Sequence, residues 1–333
     1  MMYSPAEMRL LLLTFSLLSR MATRFKNFLY DRGLLASESA ALPVISTGNI
    51  SLGGTGKTPL AVELLRWLLK SGRRPALVTR GYGGQWENQG GILSDGKRIL
   101  GTWREGGDEP LMVARAVPRA GVFVGKDRLA SCRRAAELGF DIVVLDDGFQ
   151  HRRLVRDLDI VLLSPKEKIS LREPVSALRR ADILLLDKEA AERAEKELTF
   201  FSRTGAVYMY SVATRGLSDL RSGEHLELKE VAKMRMAAFC GIARPQRFLA
   251  QLRDSGMDPV AFLTFRDHHP YPAASLAKIS RVLSKTGAEA AVTTAKDAVK
   301  LADRSGVFAG IQVCVLEIGL DIDPEFWAAL PPL

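Results

Sequence analysis

Lys57 and Thr58, at the end of the glycine-rich run Ser51-Leu52-Gly53-Gly54-Thr55-Gly56-Lys57-Thr58, are the residues with the clearest chemical purpose in this chain. Successive backbone N–H groups in such a run wrap a polyphosphate, the lysine reaches its terminal oxygens, and the threonine hydroxyl suits Mg²⁺. The usual pattern asks for glycine at the first position, where this chain has Ser51. A second constellation is Asp146-Asp147, which ends the apolar run Ile142-Val-Val-Leu145. Carboxylates at the end of a buried strand are the usual metal-holding partners of a phosphate loop. Asp108, flanked by glycines at a helix start, is a candidate base for an acceptor hydroxyl, and its neighbour Glu109 suits the helix dipole. Asp267-His268-His269 places imidazoles beside an acid, an arrangement open to catalysis, to metal binding or to plain surface polarity.

The elements that must hold these residues alternate. Pro43–Gly48 reads as a strand, and Leu60–Leu69 carries apolar residues at helical spacing, so the loop sits between strand and helix as phosphate binding requires. Strands at 75–79, 122–124, 141–145, 159–163 and 182–186, with helices at about 108–117 and 127–138 between them, imply a parallel sheet covered on both faces. Arg80-Gly-Tyr82-Gly-Gly84 follows the second strand, at the edge where open α/β sheets bind ligands. Residues 92–100 read as a hairpin about Asp95-Gly96. Near 206–232 the pattern becomes that of a two-stranded connector, and βα units resume beyond it. The reading is therefore an α/β chain: an N-terminal helix over 1–35, a nucleotide-binding sheet domain over 36–205, the connector, and a smaller α/β domain over 233–333. Arg172, Arg179 and Arg180 lie in a basic stretch that suits phosphate contact or solvent equally. Lys296, at a later strand end, meets an anionic group or caps the strand with charge.

The chain has 333 residues and a formal net charge of +9, which favours an anionic partner. No reader motif for nucleic acid accompanies that charge, so none is expected as a partner. Cys132, Cys240 and Cys314 form no C-x-x-C pair and read as buried thiols in a reducing compartment. The run Leu10–Leu18 falls well short of the ~20 residues that span a bilayer. Beyond it, Phe25, Phe28 and Leu29 interleave with Arg20, Arg24, Lys26 and Arg32, the pattern of a helix lying in a membrane interface. A helix packed on the chain's own core and a secretory signal are the alternatives.

Taken together, the motifs resemble one family. Gly48–Pro59, Arg80–Gly84, Gly107–Pro110, Asp146–His151, Leu171–Pro174, Asp267–His269 and Thr294–Lys300 are similar, in order, to those of the tetraacyldisaccharide 4′-kinases, whose version of the loop also carries the serine. The resemblance implies a P-loop NTPase-type parallel sheet with a second, smaller α/β domain and a membrane-interface helix. It implies transfer of the ATP γ-phosphate, with Mg²⁺, to the 4′-hydroxyl of an acylated glucosamine disaccharide 1-phosphate in lipid A biosynthesis. That lipid and an anionic inner-membrane surface, at its cytoplasmic face, are the implied partners, and no obligatory protein partner is. Carried over by position, Asp108 is the general base and His268 its charge partner, with Asp267 beside them. Residues 51–58 with Arg80 and Tyr82 serve the nucleotide, and Thr58, Asp146, Asp147 and Glu109 serve the metal. The segment Lys166–Ser170 departs from the family pattern, which leaves the role of Arg172 open. A P-loop switch or maturation ATPase acting on a protein partner is the rival reading.

Overall fold

Residues 23, 25–51, 56–164, 171–188, 206–308 and 310–332 are described by the structure, a computed structural model. The N-terminal residues 1–22, the loop tip Leu52-Gly53-Gly54-Thr55 and the departing segment 165–170 lie outside them.

The strands are β1 (Val44–Gly48), β2 (Pro75–Thr79), β3 (Gly91–Asp95), β4 (Gly121–Val124), β5 (Ile142–Leu145), β6 (Leu158–Leu163), β7 (Ile183–Asp187), β8 (Ala206–Asp219), β9 (His225–Leu226), β10 (Met236–Cys240), β11 (Ala261–Thr264), β12 (Ala290–Thr294) and β13 (Gln312–Ile322). They form one sheet in the order β11-β10-β12-β13-β8-β7-β6-β1-β5-β2-β4-β3, with β9 paired to β8. From β2 to β8 the pairs that flank β1 are parallel, and so are those among β10 to β13. The two groups meet at the antiparallel pair β8–β13, so the connector expected at 206–232 contributes a 14-residue strand to the sheet itself. The register of that pair shifts between Glu317 and Ile318. Such a bulge bends a strand and increases its twist.

Strand alternation decides the layers. Ile45, Val144, Ile160 and Leu185 face the helix Lys57–Lys70 through Leu60, Leu64, Leu65 and Leu68, all of them buried. Val44, Val143 and Leu145 face the other way, onto Leu129, Cys132 and Ala135 of the helix Arg128–Glu137. Residues with period two thus feed two separate cores. At the other end of the sheet, Met236, Ala238 and Val292 pack on Phe248 and Leu252, while Ala237, Phe239 and Ala291 pack on Leu276 and Ile279. The helix Ala295–Leu301 crosses back to pack on the helix Asp108–Ala116, which joins the two ends over a cleft.

Candidate active site

Thr102 opens the approach to the site with a capping box, accepting from the Arg104 N–H while Glu105 accepts from the Thr102 N–H. That box sets the short helix Trp103–Gly106 directly before the Asp108 helix. Its C-terminus lies hard against the Arg80–Gly84 turn. A Cβ on Gly81 would stand 2.6 Å from the Gly106 carbonyl oxygen, and one on Gly84 2.7 Å from the Gly107 nitrogen. Those glycines, which as a sequence pattern indicated a ligand-binding turn, serve first to let two loops touch. The contact aims Tyr82, 68% exposed, at the His268 ring, 5.8 Å away between centroids. Arg80 lines the same cleft while pairing with Glu87 at 2.7 Å.

Asp108 is 5% exposed at the start of its helix. Both of its carboxylate oxygens lie 3.0 Å from His268 Nδ1, and Oδ2 is also 3.0 Å from Lys300 Nζ. Burial alone would raise its pKa. The hydrogen bond from His268, with Lys296 and Lys300 nearby, outweighs burial and holds the carboxyl well below the usual range. The same hydrogen bond raises the His268 pKa. Lys296 Nζ, a pure donor, is 3.2 Å from His268 Nε2, 2.9 Å from Glu109 Oε1 and 3.0 Å from Asp267 Oδ1. His268 has φ +57°, a left-handed conformation uncommon outside glycine, and its N–H donates to the Gly241 carbonyl at 3.2 Å. His269 points away, stacked on Phe265 and 2.8 Å from the Ser275 hydroxyl.

Gly56 takes φ +92° at the N-terminus of the loop helix. Lys57 there bonds Asp147 and, at 3.1 Å, the Asn49 side chain. Arg172 donates to Asp147 at 2.8 Å, and Leu171 bridges to Ser51, so the Leu171–Pro174 motif flanks the phosphate loop. Asp147 itself has φ +51°. Asp146 is buried; its Oδ2 accepts from the Thr79 hydroxyl at 3.2 Å, while Oδ1 has no hydrogen-bond partner. Burial, then the negative charges of Glu109 and Asp147, push its pKa up to about 6. Thr58 Oγ1 reaches Glu109 at 3.4 Å. Thr58, Asp146, Asp147 and Glu109 thus offer only oxygen ligands, one of them buried and unsatisfied. That donor set fits a hard divalent cation.

The cleft among these groups has a volume of about 1590 Å³ and extends from Lys57 and Asp108 to Lys26 and Asn27. Residues 25–31 are helical, and Asn27 anchors them by donating to the buried Glu173 at 2.6 Å. Phe25 (64%) and Phe28 (47%) of this helix stay exposed. No helix among the described residues is long and apolar enough to cross a membrane.

The family profile described as "Tetraacyldisaccharide-1-P 4'-kinase" matches residues 8–332. The chain belongs to this family. A tetraacyldisaccharide 4′-kinase of Syntrophus aciditrophicus is 39% identical over 338 residues, covering 95% of this chain and 90% of the relative. One from Geobacter metallireducens is 36% identical, covering 92% of each. A crystal structure described as an "apo" form of LpxK from Aquifex aeolicus in complex with ATP matches with a TM-score of 0.76 at 30% identity, covering 96% of both chains. This tetraacyldisaccharide 4′-kinase is therefore an ATP-dependent enzyme that acts on a lipid disaccharide, and the switch-ATPase reading falls away.

Two groups of the kinase's site were not assigned from sequence. Lys300 is 2% exposed and lies 3.6 Å from the fully buried Asp297, which accepts from the Gly241 N–H at 2.9 Å. Thr294, Asp297 and Lys300 recur every third residue among Ala298, Val299 and Leu301. That spacing puts charge on a core-facing stripe, the signal that marks the pair. Arg128, 5% exposed, has burial lowering its pKa to about 10 and the charge of Asp146 opposing that shift. Residue order does not distinguish it from the exposed Arg133 and Arg134 of the same helix.

Proposed function

We propose that this kinase carries the γ-phosphoryl group of ATP, held on residues 51–58, to the 4′-hydroxyl of tetraacyldisaccharide 1-phosphate, with Asp108 as the base. The observation that carries this reading is the Asp108–His268 pair at 3.0 Å, in one cleft with Lys57. Asp108 receives the hydroxyl proton as the oxygen attacks phosphorus and the bond to the bridging oxygen of ADP breaks. His268, donating from Nδ1, fixes the carboxylate's orientation, and Asp267 shares Lys296 with it. The negative charge of the incoming phosphate raises the carboxylate's proton affinity as the reactants assemble. Thr58, Asp146, Asp147 and Glu109 would hold Mg²⁺, which when bound neutralises phosphate charge.

The lipid enters where the cleft meets the helix at 25–31. Phe25 and Phe28, with Lys26 and Arg32 beside them, suit the interface of an anionic bilayer, which for this substrate is the cytoplasmic face of the inner membrane. Residues 206–232 join two units whose approach excludes water from the transfer. Label from [γ-³²P]ATP should appear in the disaccharide lipid. ATP turnover without labelled lipid would refute the reading.

A further inference from the structure

Lys296 belongs to the end of the sheet remote from the phosphate loop, yet its ammonium reaches Glu109 at 2.9 Å, and Glu109 accepts from the Thr58 hydroxyl. On its other side it is 3.2 Å from Nε2 of His268, the imidazole whose Nδ1 bonds Asp108. The ammonium therefore stands between the first turn of the loop helix and the acceptor base. A phosphoryl group that leaves a nucleotide on the loop for an oxygen held at Asp108 must cross that interval.

We propose that Lys296 is a catalytic residue of the transfer, its ammonium contacting the non-bridging oxygens of the γ-phosphoryl group in flight. The inference rests on the kinase reading above. Other cations nearby have other places: Lys57 belongs to the loop that holds the nucleotide, Arg172 bonds Asp147 beside it, and Lys300, one turn from Lys296, is sealed at 2% exposure. The Lys296 side chain keeps 15% exposure into the cleft and is held by two carboxylates and an imidazole, so its position is set in advance. When it turns to the phosphoryl group, Glu109 retains the Thr58 hydroxyl as a partner. Lys296 exchanges no proton: the hydroxyl proton goes to Asp108, the acceptor oxygen bonds phosphorus and ADP departs. Charge is neutralised where it spreads, the effect for which kinases and GTPases recruit cations in trans or in cis.

The test uses the full chain and its Lys296→Met and Lys296→Arg variants. Lys296→Met should lower kcat by ~10²–10³-fold while leaving KM for ATP near the wild-type value. With the disaccharide lipid present, the methionine variant should bind ADP as the wild type does. It should lose a comparable factor of the extra affinity that aluminium fluoride, a mimic of the transferring phosphoryl group, confers on ADP. Lys296→Arg should recover part of both. A methionine variant with wild-type kcat and fluoride-dependent affinity would overturn the proposal. So would one that loses ADP and ADP–fluoride affinity equally, because that marks a structural clasp. If Lys296→Met does not fold, Lys296→Gln keeps a donor for Glu109 and Asp267 and carries the same comparison. A wild-type protein that transfers no label would remove the kinase reading itself, a failure distinct from loss of the fluoride effect.

Discussion

The two ends of the sheet meet at Asp108, with the carboxylate from one end and the groups that bond it from the other. The end built around β1 supplies Asp108, Glu109, Asp146 and Asp147, mostly at loop ends, with Asp147 in a left-handed conformation. The end built around β12 supplies His268, Lys296 and Lys300, with the two lysines one turn apart on a single helix. Asp108 finds its partners across the seam: a carboxylate this buried needs a cation, and Lys300 and His268 reach it from the other end. The proposed base is therefore completed only where the two ends meet.

Removing the carboxylate at the seam should have the largest effect. Asp108→Ala should cost ~10²–10⁴-fold in kcat, measured by label transfer to the lipid; an unchanged rate would remove Asp108 as the base. Lys300→Met, which strips the buried cation from Asp108 and Asp297, should cost ~3–5 kcal/mol in urea unfolding. Asp297→Asn combined with Lys300→Met, which removes both charges, should recover part of that loss.

The seam can be sharpened by pH. Because His268 is raised by its bond to Asp108, its pairing stabilises the fold fully below the ordinary histidine value of ~6.5 and fades as pH rises through the raised value. The melting temperatures of wild type and His268→Ala should therefore lie further apart at pH 6 than at pH 9. A gap that widens with pH would reverse the assignment. The smallest effect concerns the surface beyond the cleft: Phe25→Ser or Phe28→Ser should weaken binding to anionic vesicles by roughly tenfold, read by co-sedimentation, with label transfer to detergent-dispersed lipid retained.

The same contrast explains what the sequence disclosed. At the β1 end, motifs of fixed spacing put Lys57, Thr58 and the Asp146–Asp147 step on loops beside neighbouring strand ends, so their placement in one cleft is legible from residue order. The βα alternation likewise places most strands to within a residue or two, as with 75–79 and 159–163. Across the seam no spacing rule operates. Asp108 and His268 are 160 residues apart, and only the family resemblance paired them. The burial of Lys300 depends on a neighbour from the other end, which residue order does not show. The lengths of β8 and β13 were hidden too. Their partly exposed residues lack a clean alternation, and their pairing depends on long-range contact.

Single-turnover transfer of labelled γ-phosphate, compared among wild type, Asp108→Ala, His268→Ala and the double variant, tests most directly whether the base exists only as a pair. Acting as a unit, the two residues should give strongly non-additive losses, with the double variant little slower than Asp108→Ala alone. Losses that multiply would mean that Asp108 and His268 act independently, and the pairing across the seam would lose its catalytic meaning.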